Sequence, residues 1–464
     1  MEMTMFLGRT EELRKLSRLY AGKGVSVCLI HGRRRVGKST LIRESFSGSG
    51  IASMYYACKE SSEQSNTESL AGVVSDIFPL PSAGLSSFEA LLDFIFRQAA
   101  DRPALLALDE YPYLRKIIPG IDSILQSLID KYRETSRLKL ILYGSFVEVM
   151  KSLLLESNPL FGRIDQTIGL KAMDYLDSAL FYPNFCNEDK VRLFSVFGGI
   201  PHFNALIDPS VSVKENIQEL VANRESRLEN EIPLYLRTEI TKIANANKVF
   251  EALSRGFCRF SDILSQSKVS SSPALADILE RLVSMEVVEK TVPINDERNR
   301  RKTSYRIADN LSRFFFRYID RYGSQRAVME SDAFYAQFIE KDFETSFVPL
   351  AFETICRQFL IRQNRSGRFE PPLLKIGKYY YDDPASHANG EFDVVAEDET
   401  GYVFFEAKFR KDPLTQAIID REIAQVRACG LQCSRYGFFS RSGFSLEARP
   451  DLILFSLADL YGAK

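Results

Sequence analysis

One short run near the start of the chain constrains its fold more than any other: His31-Gly32-Arg33-Arg34-Arg35-Val36-Gly37-Lys38-Ser39-Thr40. Gly32, Gly37, Lys38 and Ser39 satisfy G-x-x-x-x-G-K-[ST] at every specified position. Before it, Val25–Ile30 has the continuous apolar character of a buried strand, and Leu41-Ile42-Arg43-Glu44 continues as a helix. Strand, glycine-rich loop and helix in that order wrap a triphosphate in backbone N–H groups. Glycine lets the main chain come close, and the helix N-terminus adds partial positive charge. Gly32, Arg33, Arg34, Arg35, Val36, Gly37, Lys38, Ser39 and Thr40 are therefore the candidate phosphate cradle. Lys38 is placed to reach the β- and γ-phosphates of ATP, and the Ser39 hydroxyl to hold Mg²⁺.

A phosphate loop of this kind calls for acids at the end of a neighbouring strand. Pro103-Ala104-Leu105-Leu106-Ala107-Leu108-Asp109-Glu110 supplies them, an apolar run closed by two carboxylates. In parallel sheets ligands sit at the carboxyl ends of the strands. Asp109 is thus expected to hold Mg²⁺ through water, and Glu110 to direct or deprotonate the attacking water. The bland alternative for the pair is a solvated loop. Further strands are expected at Ile51–Ala57, Leu138–Tyr143 and Thr167–Leu170, so the first region is α/β with a parallel sheet. At 464 residues the chain has room for about three domains. A net charge of −1 excludes a polybasic nucleic-acid binder, so any such contact must be a local patch. No apolar run is long enough for a membrane span, and Met1-Glu2-Met3-Thr4 does not open a signal peptide. With seven scattered cysteines in no paired framework, the expectation is a cytoplasmic protein with reduced thiols.

Four more segments give these features a family resemblance. They are Phe6-Leu7-Gly8-Arg9-Thr10-Glu11 ahead of the loop, Gly144-Ser145 after a strand, Arg163 before the last strand, and Gly198-Gly199-Ile200-Pro201 after a helical region at Tyr175–Phe197. In this order, over roughly residues 5–235, the chain resembles the archaeal-type ATPases of the AAA+/STAND branch of P-loop NTPases. That resemblance implies a role for each segment. Gly8 and Arg9 would lie at the base and ribose end of the nucleotide. Ser145 would act as the sensor between the second acid and the γ-phosphate, although it could equally cap the helical segment Phe146–Leu155. Arg163 would reach into the site of a neighbouring protomer in a homo-oligomer, unless it is a plain surface arginine. Pro201, with Gly199, would let a helical lid distinguish ATP from ADP, a role compatible with an ordinary helix stop.

From about Asn245 the texture changes. Short helices at Val249–Ser254, Phe260–Leu264 and Ser271–Leu282, the last with Ser272 as expected N-cap, precede strands at Val287–Val292 and Ser304–Ile307. Three helices and a hairpin read as a winged helix, whose tip, Asp296–Lys302, is net basic and could lie on a phosphate backbone. Against DNA reading stand Asp277 and Glu280 on the third helix. In the related ATPases such a module often packs on the core instead.

The second chemical signal lies near the end of the chain. Gly390–Ala396 and Tyr402–Phe409 read as paired strands, with Glu406 and Lys408 two residues apart on one face and Asp393 on the partner. Two carboxylates and an ammonium can bind a hard divalent cation and activate water. The constellation Asp393…Glu406-Ala407-Lys408 resembles that of PD-(D/E)XK nucleases, which implies Mg²⁺ at Asp393 and Glu406, an extra acid at Glu353 and Lys408 as the catalytic lysine. No proline precedes the first acid, a departure from the usual signature. The expected domains are a P-loop ATPase (1–174), a helical lid (175–240), a winged helix (241–310), a helical linker (311–345) and a C-terminal α/β nuclease-like domain (346–464). The expected activity is ATP hydrolysis coupled to a domain that binds or cuts DNA. The alternative is a nucleotide-operated switch or transcription-type regulator in which the last domain is inert.

Overall fold

Five apolar runs form the first sheet: β1 (Ser26–His31), β2 (Ala52–Ala57), β3 (Ala104–Asp109), β4 (Leu138–Gly144) and β5 (Gln166–Gly169). All pair in parallel, in the order β2-β3-β4-β1-β5. Every residue of β1 and β4 is buried, as expected where helices cover a parallel sheet. On one face Val27 and Leu29 join Leu91, Ile95 and Leu125 in a single core. The register sets His31 beside both Gly144 and Gly169, and Asp109 beside Tyr143. The carboxyl ends of β1, β3 and β4 therefore lie level, with the phosphate loop, the acidic pair and Ser145 leaving the sheet together.

The computed structural model describes residues 6–81, 85–234, 243–383, 388–447 and 449–462, and the chain divides into two compact units, Met1–Ala172 and Met173–Lys464. The first holds the sheet above. In the second, the helical stretch expected over 175–197 is broken. It runs as Tyr175–Ser178 and Ala179–Phe181, then restarts at Asn187. Pro183 lies in the gap, where a missing N–H and a fixed φ end helices. Helices Ala246–Ser254, Phe260–Ser267 and Ser272–Ser284 then pack with the antiparallel hairpin β6 (Val288–Thr291) and β7 (Ser304–Ile307). The third helix begins one residue differently from expectation. The Ser271 hydroxyl, not that of Ser272, accepts the Ala274 N–H, which makes Ser272 the first helical residue and puts Pro273 at the second helical position.

The C-terminal sheet contains β8 (Lys375–Asp383), β9 (Ala388–Asp398), β10 (Gly401–Lys408), β12 (Cys433–Ser440) and β14 (Leu452–Ser456), in the order β14-β12-β10-β9-β8. Two short strands, β11 (Leu414–Thr415) and β13 (Phe444–Ser445), pair with each other. β8, β9 and β10 form an antiparallel meander, and β10, β12 and β14 run parallel. Helix Gln416–Ala428 connects β10 to β12, and its Ile419, Ile423 and Val426 pack with Phe404 and Phe438. On the other face Phe359, from helix Val348–Arg365, meets Phe439 and Phe455 at 5.8 and 4.9 Å between ring centroids. All seven cysteines carry free thiols. Among the described residues, no helix is long and apolar enough to cross a membrane.

Candidate functional site

The loop after β1 turns sharply before helix Lys38–Ser47 begins, with Gly37 in the left-handed region at φ 91°. Gly32 is needed for a different reason. A side chain there would meet the Leu170 carbonyl at 2.2 Å, so its absence lets the loop lie against the residue that follows β5. Val36 is fully buried, whereas Arg34, Arg35 and Thr40 are exposed. Arg34 lies 5.9 Å from the Phe146 ring centroid. The Lys38 ammonium is buried and donates to the carbonyls of Gly32 (2.6 Å) and Arg33 (3.0 Å) and to Ser145 Oγ (2.9 Å).

The two acids at the end of β3 bond to Ser39 and to Ser145 respectively. Asp109 Oδ2 accepts from Ser39 Oγ at 3.3 Å and from the Tyr55 hydroxyl at 2.5 Å. Glu110, held at φ 50°, accepts the Ser145 backbone N–H at 3.1 Å through Oε2. Ser145 thus bridges Lys38 and Glu110. It makes no capping bond to helix Val147–Lys151, whose N-cap position is Phe146. Ser39 and Asp109 put a hydroxyl and a carboxylate side by side, the hard oxygen donors that suit Mg²⁺.

Gly8 and Arg9 both adopt positive φ, and the buried Arg9 guanidinium donates to the carbonyls of Val36 (3.2 Å) and Lys171 (2.6 Å). Arg9 therefore clamps the phosphate loop to the chain that leaves β5. Arg163 is turned to a surface partner, pairing its Nε and Nη2 with the Asp130 carboxylate at 3.2 and 2.9 Å. Two residues not selected from the sequence belong to the same neighbourhood: Tyr55, and His31 at the end of β1. Burial first, then the charges of Lys151, Lys38 and Lys171, push the His31 imidazole down to about 4, so it stays neutral at physiological pH.

In the second unit, Pro201 opens helix Pro201–Asn204, and the two glycines before it are closely packed. Gly198, at φ 59°, caps helix Asn187–Phe197 and abuts Asn310. A side chain on Gly199 would fall 1.8 Å from the Met173 carbonyl oxygen, and Gly199 O accepts the Met173 N–H at 2.7 Å.

Two lysines hold the carboxylates of Asp393 and Glu406. Lys408 pairs with Glu406 (2.6 Å) and Glu422 (3.2 Å), and Lys378 on β8 pairs with Asp393 (3.0 Å) and Glu391 (3.1 Å). Phe404, Glu406 and Lys408 share a face of β10, as alternation requires. β9 does not alternate throughout. Gly377 faces Val395 and Tyr379 faces Phe392, so β9 spends one extra residue between these pairs, a bulge at Asp393-Val394. Glu353 is pushed up to about 8, first by burial and next by the negative charge of Asp393, with Glu406 adding to it. Burial likewise raises Glu406, opposed by Lys408. The three acids therefore share one electrostatic environment, and their oxygens suit a hard cation. Among the described residues, however, no set of three or more His, Cys, Asp or Glu is arranged to hold a metal.

Glu353 gives a pH signature. The unfolded carboxyl ionises near its ordinary value of 4.5, whereas the folded one keeps its proton to about 8. Stability should fall as pH rises through that window, by at most ~1.4 kcal/mol per pH unit, and level off above it. Glu353→Gln should remove this slope. Denaturant unfolding from pH 5 to 8 checks it, and parallel pH curves for variant and wild type would refute it.

The loop after β6 packs on β8 within the second unit, and of its basic residues Lys302 is engaged. The Ile294 N–H donates to Lys378 O at 2.8 Å, and Asn295 and Tyr380 exchange bonds of 2.8 and 3.1 Å. Lys302 pairs with Asp296 at 2.8 Å and lies 4.1 Å from the Tyr380 ring centroid.

Residues 6–205 match a family described as an ATPase domain predominantly from Archaea. Residues 6–205 thus form a domain of the archaeal-type ATPase family. Residues 315–422 match a second family, archaeal and bacterial proteins of unknown function. An uncharacterized protein of Methanocaldococcus jannaschii is 25% identical over 462 residues, which cover 98% of this chain and 100% of that protein. Among solved structures, the Walker-type ATPase of Pyrococcus abyssi matches with a TM-score of 0.51 at 20% identity, over 67% of this chain and 96% of that one. That likeness is one of fold.

Proposed function

We propose that the chain binds and hydrolyses ATP at the phosphate loop and couples nucleotide state to a DNA-binding or DNA-cutting C-terminal domain. The observation that carries the first half is the continuous network from Lys38 through Ser145 to Glu110, with Ser39 and Asp109 beside it. On this reading Lys38 exchanges its carbonyl partners for phosphate oxygens. Ser145, already bonded to Lys38 and Glu110, registers the γ-phosphate, and Glu110 turns toward the attacking water. Mg²⁺, held by Ser39 and by Asp109 through water, would neutralise phosphate charge as the bond breaks. Gly8 and Arg9 act by fixing the loop, Pro201 by opening the lid, and Arg163 would first have to leave Asp130 to serve a neighbouring protomer.

For the second half, support comes from the succession of helix, antiparallel meander, crossover helix and parallel strand that surrounds Asp393, Glu406 and Lys408. This is the arrangement expected of a PD-(D/E)XK-type domain (346–464), with a winged helix (241–310), a linker (311–345) and a lid (175–240) before it. A divalent cation at Asp393 and Glu406 would displace the lysine pairings and relieve the crowding that keeps Glu353 protonated. A second reading is favoured by those same pairings. The lysine-neutralised carboxylates and the loop packed on β8 suit a nucleotide-operated switch whose last domain is an inert platform.

One set of assays separates the two. ATP turnover and Mg²⁺-dependent DNA nicking are measured on wild type, Glu110→Gln, Asp393→Ala and Lys408→Ala. Glu110→Gln should lose about 10²-fold or more in turnover while still binding ATP. Asp393→Ala and Lys408→Ala should lose nicking and keep turnover. Equal nicking by all four proteins would end the nuclease claim and leave the switch.

A further inference from the structure

Three π-helical segments crowd into the start of the region of unknown function: Phe315–Asp320, Ala336–Glu340 and Phe343–Phe347. Wide turns of this kind are rare and recur at functional sites. Here they border a cavity of about 370 Å³. Its floor is set by Asp342, whose carboxylate takes both prongs of Arg317 (2.7 and 2.8 Å) and the Tyr318 hydroxyl (2.6 Å). Arg317 holds the Asp342 carboxyl below its ordinary range, so this group is an ionised and fully used anion.

The charge left over is positive. Arg321 and Lys341 also line the cavity, both are exposed, and among the described residues neither pairs with a carboxylate. Beside Arg321 lies a layered set of flat groups. The Arg321 guanidinium sits 5.3 Å from the Tyr322 ring centroid, and Tyr322 lies 4.6 Å from Phe338 with the planes 37° apart. Both rings are only partly buried, and Gln337 and Thr345 add exposed neutral hydrogen-bonding groups. Two cations that pair with no carboxylate among the described residues, next to a half-exposed aromatic pair, match a phosphate attached to a planar ring. The volume is at the small end of ligand pockets, room for one such unit.

We propose that this groove is a second nucleotide-binding site, built wholly from the second unit. Arg321 and Lys341 hold the phosphate, and the base stacks on the Tyr322–Phe338 pair. The same chemistry is offered by a free mononucleotide and by one residue of a single strand. Binding of fluorescent thymidine monophosphate and of a labelled oligothymidylate is measured by anisotropy on full-length Lys38→Ala protein, in which the phosphate loop is disabled. The comparison is with the same protein carrying Arg321→Glu and Lys341→Glu, or Tyr322→Ala. The charge reversal should weaken binding at least tenfold and lower the salt slope by about 0.7 for each strand phosphate lost. Tyr322→Ala should cost roughly five- to hundredfold, and Tyr322→Phe almost nothing. Tight binding of the monophosphate identifies a free nucleotide as the ligand, and binding of the oligomer alone identifies a strand. No binding by the parent, or unchanged affinity in both groove variants with melting temperature preserved, overturns the proposal. Because each groove variant is read against its own Lys38→Ala parent, the outcome does not depend on the phosphate-loop reading.

Discussion

Replacing Lys38 by alanine is expected to lower ATP affinity at least ~100-fold. The ammonium is buried and meets three oxygens, two of them carbonyls of the loop that would wrap the phosphates. Charge-assisted bonds of this type are worth about 1.5–3 kcal/mol each, so losing two of them to phosphate oxygens exceeds the ~2.7 kcal/mol that corresponds to 100-fold. Lys38→Arg should fail similarly, because the planar guanidinium cannot take the place of a compact ammonium between Gly32 O, Arg33 O and Ser145 Oγ. Without nucleotide, each variant's own melting temperature is the baseline, since the buried ammonium's three bonds are lost or changed. With saturating Mg²⁺ATP only the wild type should gain stability. Titration calorimetry decides the matter, and affinity retained within a few-fold would remove the phosphate loop from the account.

The second large effect concerns stability. Gly199→Ala should destabilise the second unit by about 3 kcal/mol or more. Its added carbon would lie 1.8 Å from the Met173 carbonyl oxygen and 2.7 Å from that residue's nitrogen and carbonyl carbon. All three are backbone atoms, so relief requires moving the chain rather than a side chain, and overpacking of that kind reaches the top of the usual range. Gly162→Ala is the control. Gly162, unlike Gly199, has positive φ, at 74°, and nothing within 4 Å, so only the conformational penalty of about 1 kcal/mol applies. A loss at Gly199 no larger than that at Gly162 in thermal unfolding would show that the chain relieves the Met173 clash at little cost. The resemblance placed Gly199 and Pro201 at the nucleotide. The geometry gives Gly199 a packing role of its own.

What could be read from sequence followed the strength of the periodic signal. β1, β3 and β4 are uninterrupted apolar runs, and their ends carry the loop, the acids and Ser145. β8 went unread because Lys-Ile-Gly-Lys-Tyr-Tyr-Tyr-Asp-Asp mixes charge, glycine and aromatics without alternation. With it went Lys378, the partner of Asp393. β14 was also missed, a five-residue strand close to the chain end. Tyr55 could not be singled out from a strand of ordinary composition, since only the parallel register to β3 brings its hydroxyl to Asp109. The basic tip was legible as charge, but its packing on β8 depends on a strand far along the chain.

The extra residue in β9 carries a consequence for how this domain can change over generations. Deleting the Asp393 codon would restore plain alternation and leave most of the sheet pairing available. It would also remove the carboxylate that Lys378 holds and that acts on Glu353 and Glu406. A lineage could thus lose the carboxylate site in one step without losing the fold, and a one-residue insertion could recover it. Active and silent versions of the same scaffold would then differ by the length of one strand, and a comparison of residue types alone would miss the difference.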